Sequence, residues 1–409
     1  MKKLLIIGFV WPEPNSSAAG SRMLQLIEQF QNQRFKIIFA TAANKGDNAF
    51  DLSSTGVQAE KIELNNLSFD NFITSLCPDV VLFDRFMIEE QYGWRVAEQC
   101  PNALRILDTE DFHGLRKARG EALKNKKSFT IQHLQNDTTK REVASIYRCD
   151  LSLIISEAEI KILKEQLGVD QNLLYYLPFL LDSISQGTKD SLPKFEDREH
   201  FIFIGNFLHQ PNYDAVLYLK NTIWPLIRNK LPEAQLHVYG AYESQKVTQL
   251  HNKKEGFLVK GFAEDVNTVM QSSRVCLAPL RFGAGLKGKL IDAMKNGTPT
   301  VMSTIAAEGM FADGDLPYLI SDEPNTFAKQ AVELYSKKLV WKMHQDKGFS
   351  CMNDRFNVSN FKHLFKEKIE FLLQNLQQHR QQNFTGQLLM HHTLQSTKYM
   401  SKWIEKKNR

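Results

Sequence analysis

Cysteine is scarce and scattered: Cys77, Cys100, Cys149, Cys276 and Cys351 are the five in 409 residues, and no two stand as Cys-x-x-Cys. That spacing excludes a disulfide framework and a thiolate zinc site, and it suits a reducing compartment. No apolar run reaches the roughly 18 residues that a membrane-spanning helix needs. The opening run, Leu4 to Trp11, is cut by Pro12-Glu13-Pro14 and reads as a buried first strand rather than a signal segment. No Gly-x-Gly-x-x-Gly follows that strand, which disfavours a dinucleotide cofactor. A strong charge of either sign is also missing: 51 Lys and Arg against 46 Asp and Glu leave +5, too slight to argue for nucleic acid. Hydrophobic content of 43% over this length fits a globular chain with room for two domains.

What is present is a strand, loop and helix rhythm that runs twice. Leu4 to Val10 reads as a central parallel strand, and PEPNSSAAGSRM leads from it into a helix carrying Met23, Leu24, Ile27 and Phe30. Further strands are expected at 36–41, 79–83, 104–107, 151–156 and 173–177. Ser183 to His200 is polar, and at Phe201 to Phe207 the rhythm restarts, with strands expected at 236–239, 258–261, 275–280 and 300–302. The restart predicts an α/β protein of two Rossmann-like domains. Its parts are 1–182, a linker at 183–199, a second domain at 200–380 and a terminal segment at 381–409.

Open parallel sheets bind ligands beyond the carboxyl ends of their strands. The loop DTEDFHGLRKAR occupies such a position, and His113 in it can donate to a sugar hydroxyl or assist a proton transfer. On the residues alone a local hydrogen-bonding role is the commoner reading, and Asp108, Glu110 and Asp111 are also ordinary loop acids. The basic stretch Arg116, Lys117, Arg119, Lys124 and Lys126 reads first as a solvated face and second as a contact for an anionic lipid or polymer.

Arg281 to Pro299, RFGAGLKGKLIDAMKNGTP, organises the second half. Gly283, Ala284 and Gly285 allow a sharp turn and close approach to a ligand. A helix with Leu286, Leu290, Ala293 and Met294 on one face follows and stops at Gly297. Lys287 and Lys289 at a helix N-terminus oppose the usual preference for acids there, a conflict that a bound phosphate resolves. Asp292, one turn on, could accept from paired sugar hydroxyls, although a lone Lys-x-x-Asp is more often a solvated face. Asn206, His209 and Asn212 can donate to phosphate or sugar oxygens from the loop after the first strand of this half. Ser303, Thr304 and Glu308 follow the last one.

The segment GAGLKGKLIDAMKNGTPTVMST, with PL before it and AAEGM after it, resembles the donor-site signature of retaining glycosyltransferases of family 4. The resemblance implies the GT-B fold: two Rossmann-like domains with parallel sheets facing across a cleft, the donor held mainly by the second, and a C-terminal helix crossing back to the first. By position, Lys289 would contact the donor diphosphate and act in catalysis, and Asp292 would stand for the Glu that binds ribose. Gly283, Ala284, Gly285, Leu286 and Lys287 would line the donor. Gly20 and Arg22 become donor or acceptor contacts, and His113 would approach the donor sugar. Many members have a Glu where Ala284 stands and a basic pair near Asn206 and His209. These departures leave the sugar's identity open and put more of the diphosphate's charge on Lys287 and Lys289.

The implied activity is transfer of a hexose-type sugar from a nucleoside-diphosphate donor, with retention and without metal or other cofactor. The acceptor would be a glycan, lipid-linked or protein hydroxyl in cell-surface glycan synthesis. A cytoplasmic place, or one peripheral to the inner membrane face, goes with it. A GT-B-fold epimerase, a phosphorylase and a non-catalytic sugar-nucleotide-binding subunit are the alternatives. The terminal helix, Leu388 to Lys407, is expected to cross back. Its Trp403, Ile404, Lys402, Lys406 and Lys407, with Arg409 beyond, supply membrane contact as a second reading.

Overall fold

The computed structural model describes residues 1–312 and 319–407, the side chains of 392–395 excepted; Arg409 lies outside them. The first sheet has seven strands: β1 (Lys3–Gly8), β2 (Lys36–Thr41), β3 (Gln58–Lys61), β4 (Val80–Asp84), β5 (Leu104–Asp108), β6 (Leu151–Ile154) and β7 (Leu174–Tyr176). Their order is β3-β2-β1-β4-β5-β6-β7. The second has β8 (Glu199–Ile204), β9 (Leu236–Tyr239), β10 (Phe257–Gly261), β11 (Ser273–Ala278), β12 (Thr300–Met302) and β13 (Leu319–Ile320), in the order β10-β9-β8-β11-β12-β13. Every pairing between these strands is parallel. Both sheets reverse direction beside their first strand, so β1/β4 and β8/β11 are the switch points where such folds hold ligands.

Two-residue periodicity divides the apolar runs between the two faces of each sheet. Leu5, Ile7, Val81 and Phe83 join one core of the first domain, and Leu4, Ile6, Val80 and Leu82 join the other. In the second domain Phe201, Phe203, Val275 and Leu277 face the large core while Ile202, Ile204 and Cys276 face a smaller one. Burial on both sides is what makes these strands read as continuous apolar runs.

The return to the first domain begins earlier than the boundary at 381. Phe365, Ile369 and Leu372, on the helix Lys362–Gln374, fill the first domain's core, with Phe365 edge-on to Phe30. The helix Phe384–Lys407 then lies on the helices Asp137–Arg148 and Phe86–Gln99. Arg95 pairs with Glu405, and Arg380 grips Asp150 at 2.7 Å. Trp403, Tyr399 and Met400 stay exposed on its outer face.

At the start of β8 and β9, away from the switch points, His200 and His237 stack with ring centroids 3.7 Å apart. Burial holds His200 down to about 4 and His237 to about 3, with Lys260 adding to both. Because these folded values lie below the ~6.5 of a free imidazole, stability is complete above pH 6.5 and falls as pH drops from there toward 4. Up to about 2 kcal/mol per imidazole, less what solvent screens at these partly exposed rings, is expected to be lost between pH 7 and pH 5. Thermal unfolding of His237→Phe should show a smaller difference between those two pH values than the unaltered chain. Equal differences would rule the pair out as the acid-sensitive element.

Candidate functional site

The loop from β11 turns through Gly283 (φ 156°) and Gly285 (φ 64°) into the helix Gly288–Lys295. Gly285 is obligatory in this setting: its backbone is left-handed, and a Cβ would sit 2.7 Å from the Asp111 Cβ of the first domain. Beside that helix, the turn after β8 starts the helix Gln210–Tyr218. Lys289 joins the two starts, its Nζ donating to Asn212 Oδ1 at 2.6 Å and lying 5.0 Å from the Phe203 ring centroid. Asn212 is fixed in turn, its Nδ2 donating to the Asn206 carbonyl at 2.9 Å while Gly205 leaves room for its carboxamide. Burial lowers the Lys289 amine to about 8, opposed by Cys276 and reinforced by Lys287. A buried cation between two helix N-termini is a place an anion stabilises. Asp292 is pushed up to about 6 by burial and accepts no side-chain hydrogen bond among the described residues.

Across the cleft, His113 opens the helix His113–Lys124 just beyond β5. Its Nδ1 meets the Asp111 carbonyl at 2.8 Å, with Asp111 Oδ1 at 3.3 Å and Glu142 Oε1 at 3.5 Å. Nε2 is left open. Burial works against the imidazolium, but Asp111 and Glu142 outweigh it and the pKa is raised. Glu142 also accepts from the His113 and Gly114 N–H groups at 3.2 and 3.0 Å, so one carboxylate both caps the helix and orients the ring. Arg116 pairs with Asp111. His209, in the second domain's loop, is held below its ordinary pKa by the protein crowded around its ring and by Arg116, opposed by Asp111. Lys289 and Lys287 lower it further.

Several expected contacts are corrected. Arg22 is not a donor contact: its guanidinium is buried, bonded to Asp108 at 2.8 Å and to the Leu177 carbonyl at 2.7 Å, and ties the first helix to the strands. Gly20 is buried because a Cβ would fall 2.4 Å from the Glu13 backbone, a packing requirement rather than a ligand contact. Asn206 is not among these: its Oδ1 accepts from the Leu208 N–H at 2.9 Å, and its Nδ2 donates to no group among the described residues. Lys287 donates to the carbonyls of Ala284 and Gly285 and is buried, so it braces its loop instead of facing an open anion site. Leu286 belongs to the second domain's core.

The remaining loop residues dock on the other domain. Gly285 N–H, expected to face phosphate, donates to Glu159 Oε1 at 2.7 Å. The Gly283 carbonyl accepts from Arg119 at 2.9 Å, and Arg119 forks Glu308 at 2.7 and 2.6 Å. Ala284 enters the apolar core of the first domain. Glu159 was not singled out from the sequence, since Ser156-x-x-Glu159 looks like a helix capping box. Here Ser156 makes no such cap, and Glu159 accepts instead from Phe112 and Gly285. Placing Glu at 284 would press a carboxylate into that core, and Ala284→Glu is expected to cost at least about 3 kcal/mol, read as a fall in Tm. An unchanged Tm would mean that the loop leaves the first domain freely.

Two residues at the cleft floor carry backbone strain that no sequence pattern announces. Arg85, just after β4, has φ 73° and ψ 157°, a region occupied almost only by glycine. Glu110, after β5, has φ 62°. Each conformation costs about 1–3 kcal/mol, and the Arg85 N–H bonds the Asp108 carbonyl at 2.8 Å to hold it. Glu110 is raised by burial and by Asp108 and Asp84, against the pull of Arg85. No group of three or more His, Cys, Asp or Glu gathers in a metal-binding arrangement among the described residues. Asp313-Gly314-Asp315, an Asp-x-Asp, lies outside them.

Known structures share this architecture at low identity. S. aureus TarM, solved as a mutant with fondaparinux, alpha-GlcNAc-glycerol and UDP, superposes with a TM-score of 0.68 at 11% identity, covering 91% of this chain and 100% of TarM. HepE of Anabaena, in complex with UDP and glucose, gives 0.66 at 13% identity over 90% and 100%. Sucrose-phosphate synthase of Thermosynechococcus elongatus gives 0.66 at 14% over 91% and 99%. In sequence, a protein of Klebsiella pneumoniae described as an uncharacterized 44.6 kDa protein in the cps region is 23% identical over 175 residues. That match spans 41% of this chain and 45% of the relative. Residues 198–337 match the family model of glycosyl transferases group 1. The chain therefore has the GT-B fold, and within it residues 198–337 of the second domain are similar to glycosyl transferases group 1.

Proposed function

We propose that this protein transfers a hexose-type sugar from a nucleoside-diphosphate donor to an acceptor hydroxyl, with retention, in the synthesis of a cell-surface polysaccharide. The observation that carries the reading is the Lys289 amine, half-buried between two helix starts and held on Asn212 Oδ1. TarM was solved with UDP and HepE with UDP-glucose, and the Klebsiella relative belongs to a cps region; both support this donor class and this setting.

In the reaction the leaving diphosphate gains charge as the glycosidic bond breaks, and Lys289 offsets that charge where water is excluded. Asp292 orients the ribose hydroxyls. His113, with Nδ1 fixed on the Asp111 carbonyl, presents Nε2 to the donor sugar. Lysine and helix starts serve here as the electrophilic partners, and neither metal nor cofactor is part of the proposal. The acceptor is a glycan, lipid-linked or protein hydroxyl, and the enzyme works in the cytoplasm or at the inner membrane face, where the outward Trp403, Lys402 and Lys406 would meet lipid.

The alternative of a non-catalytic binding subunit has one observation in its favour: the Gly285 N–H and the Lys287 amine are already satisfied by protein groups. Incubation with a panel of UDP-, GDP- and ADP-sugars separates the two. Release of nucleoside diphosphate, accelerated by an added acceptor, supports transfer. Binding without release from any donor supports the subunit.

A further inference from the structure

Beyond His113, the ends of β1 and β4 hold side chains that the donor chemistry leaves unused. Phe9 follows β1 and is 41% exposed, with its N–H on Asp84 Oδ2 at 2.9 Å. The Arg85 guanidinium lies 5.1 Å from that ring's centroid. Among the described residues its side chain makes no hydrogen bond, and its contact with Asp84 Oδ1 is 3.7 Å. Asp84 is itself 4% exposed, and that same Oδ1 has no hydrogen-bond partner among the described residues. The Glu110 carboxyl likewise accepts no hydrogen bond among the described residues. Arg85 and Glu110 are two of the eight non-glycine residues with positive φ among the described residues, and they lie just past the ends of the neighbouring strands β4 and β5. Strain kept on both sides of a group of unused donors and acceptors marks a built site.

We infer that Phe9, Arg85 and Glu110 form the acceptor subsite and that its occupant is a neutral pyranose ring. The inference rests on the glycosyl-transfer reading above and names that reaction's second substrate. A pyranose presents an apolar C–H face and a rim of hydroxyls. The exposed Phe9 ring suits the face, and the guanidinium and carboxyl suit the rim as donor and acceptor. Neutrality follows from the local charges. Asp84, Asp108, Glu110 and Asp111 surround Arg85, while Arg22 and Arg116 are committed to Asp108 and Asp111. Burial and their neighbours already raise the Asp84 and Glu110 carboxyls, so even with His113 beside Asp111 this corner disfavours negative charge, and an acidic sugar would add a further carboxylate to it. Hydroxyls use the same hydrogen bonds without that repulsion.

The full chain is tested by saturation-transfer NMR with the p-nitrophenyl β-glycosides of glucose, galactose and N-acetylglucosamine and with the glucuronide, with and without UDP. UDP affinity is measured separately by calorimetry. At least one neutral glycoside should bind, at least fivefold more tightly than the glucuronide. Phe9→Ala and Arg85→Gly should each weaken it at least fivefold. Glycine accepts the Arg85 backbone without strain, and UDP affinity and Tm measured on each variant separate weaker glycoside binding from a folding defect. Failure of every neutral glycoside to bind, tighter binding of the glucuronide, or unchanged binding in both variants overturns the subsite. Failure of UDP to bind the unaltered chain counts against the donor site instead, and the glycoside results still decide this one.

Discussion

Replacing Lys289 with alanine is expected to weaken nucleoside-diphosphate binding about a hundredfold, within the 1.5–3 kcal/mol of a charge-assisted hydrogen bond at a buried site. Calorimetric titration with UDP, GDP and ADP in parallel reads the effect on whichever base the protein prefers. The substitution leaves the scaffold in place, since Asn212 keeps its bond to the Asn206 carbonyl. A second signature comes from pH. With the amine held to about 8 by burial, the empty site loses its charge as pH rises through that value. Affinity should fall by about tenfold between pH 7 and pH 9, and the slope should vanish in Lys289→Ala. Unaltered affinity in the variant for all three nucleotides would remove the donor-site assignment.

His113→Ala should act on a different quantity. Turnover is expected to fall about 100- to 1000-fold, the range for a positioned group acting on the reacting centre, while nucleotide affinity stays within about twofold because the diphosphate lies on the Lys289 side. Asp111 and Glu142 raise the imidazole's pKa in the fold. Its charge-dependent stabilisation is therefore complete below the unfolded value near 6.5 and is lost as pH rises through the folded value. That sign is opposite to the one at His200 and His237, so the variant should lose more stability at pH 6 than at pH 8. If His113→Ala retained full turnover, the ring would be only a helix-start ligand to Glu142. If nucleotide affinity fell in step with turnover, the ring would belong to the diphosphate site.

Most of the architecture could be read from the chain because parallel strands covered on both faces must be apolar throughout. Such runs as Leu4–Ile7 and Phe201–Ile204 announce themselves. The strand Gln58–Lys61 was missed for the converse reason: it lies at the sheet edge, its side chains are mostly exposed, and QAEK has no apolar period to detect. The early return at Phe365 was missed because that helix is amphipathic whichever domain it packs on. At the site, the glycines of 283–288 and the nearby lysines mark a close-approach loop in any reading of the residues.

The sequence alone determined that a glycine-rich turn feeds a lysine-bearing helix start in the second of two α/β domains, because local backbone freedom and short-range spacing are written in consecutive residues. Only the tertiary structure decided which groups remain for a ligand. Lys287 turned onto its own loop, Arg22 onto Asp108, and the Gly285 N–H onto Glu159, 126 residues away. A charged or polar group bonds whatever partner folding brings within reach, and that partner is set by how the two domains meet.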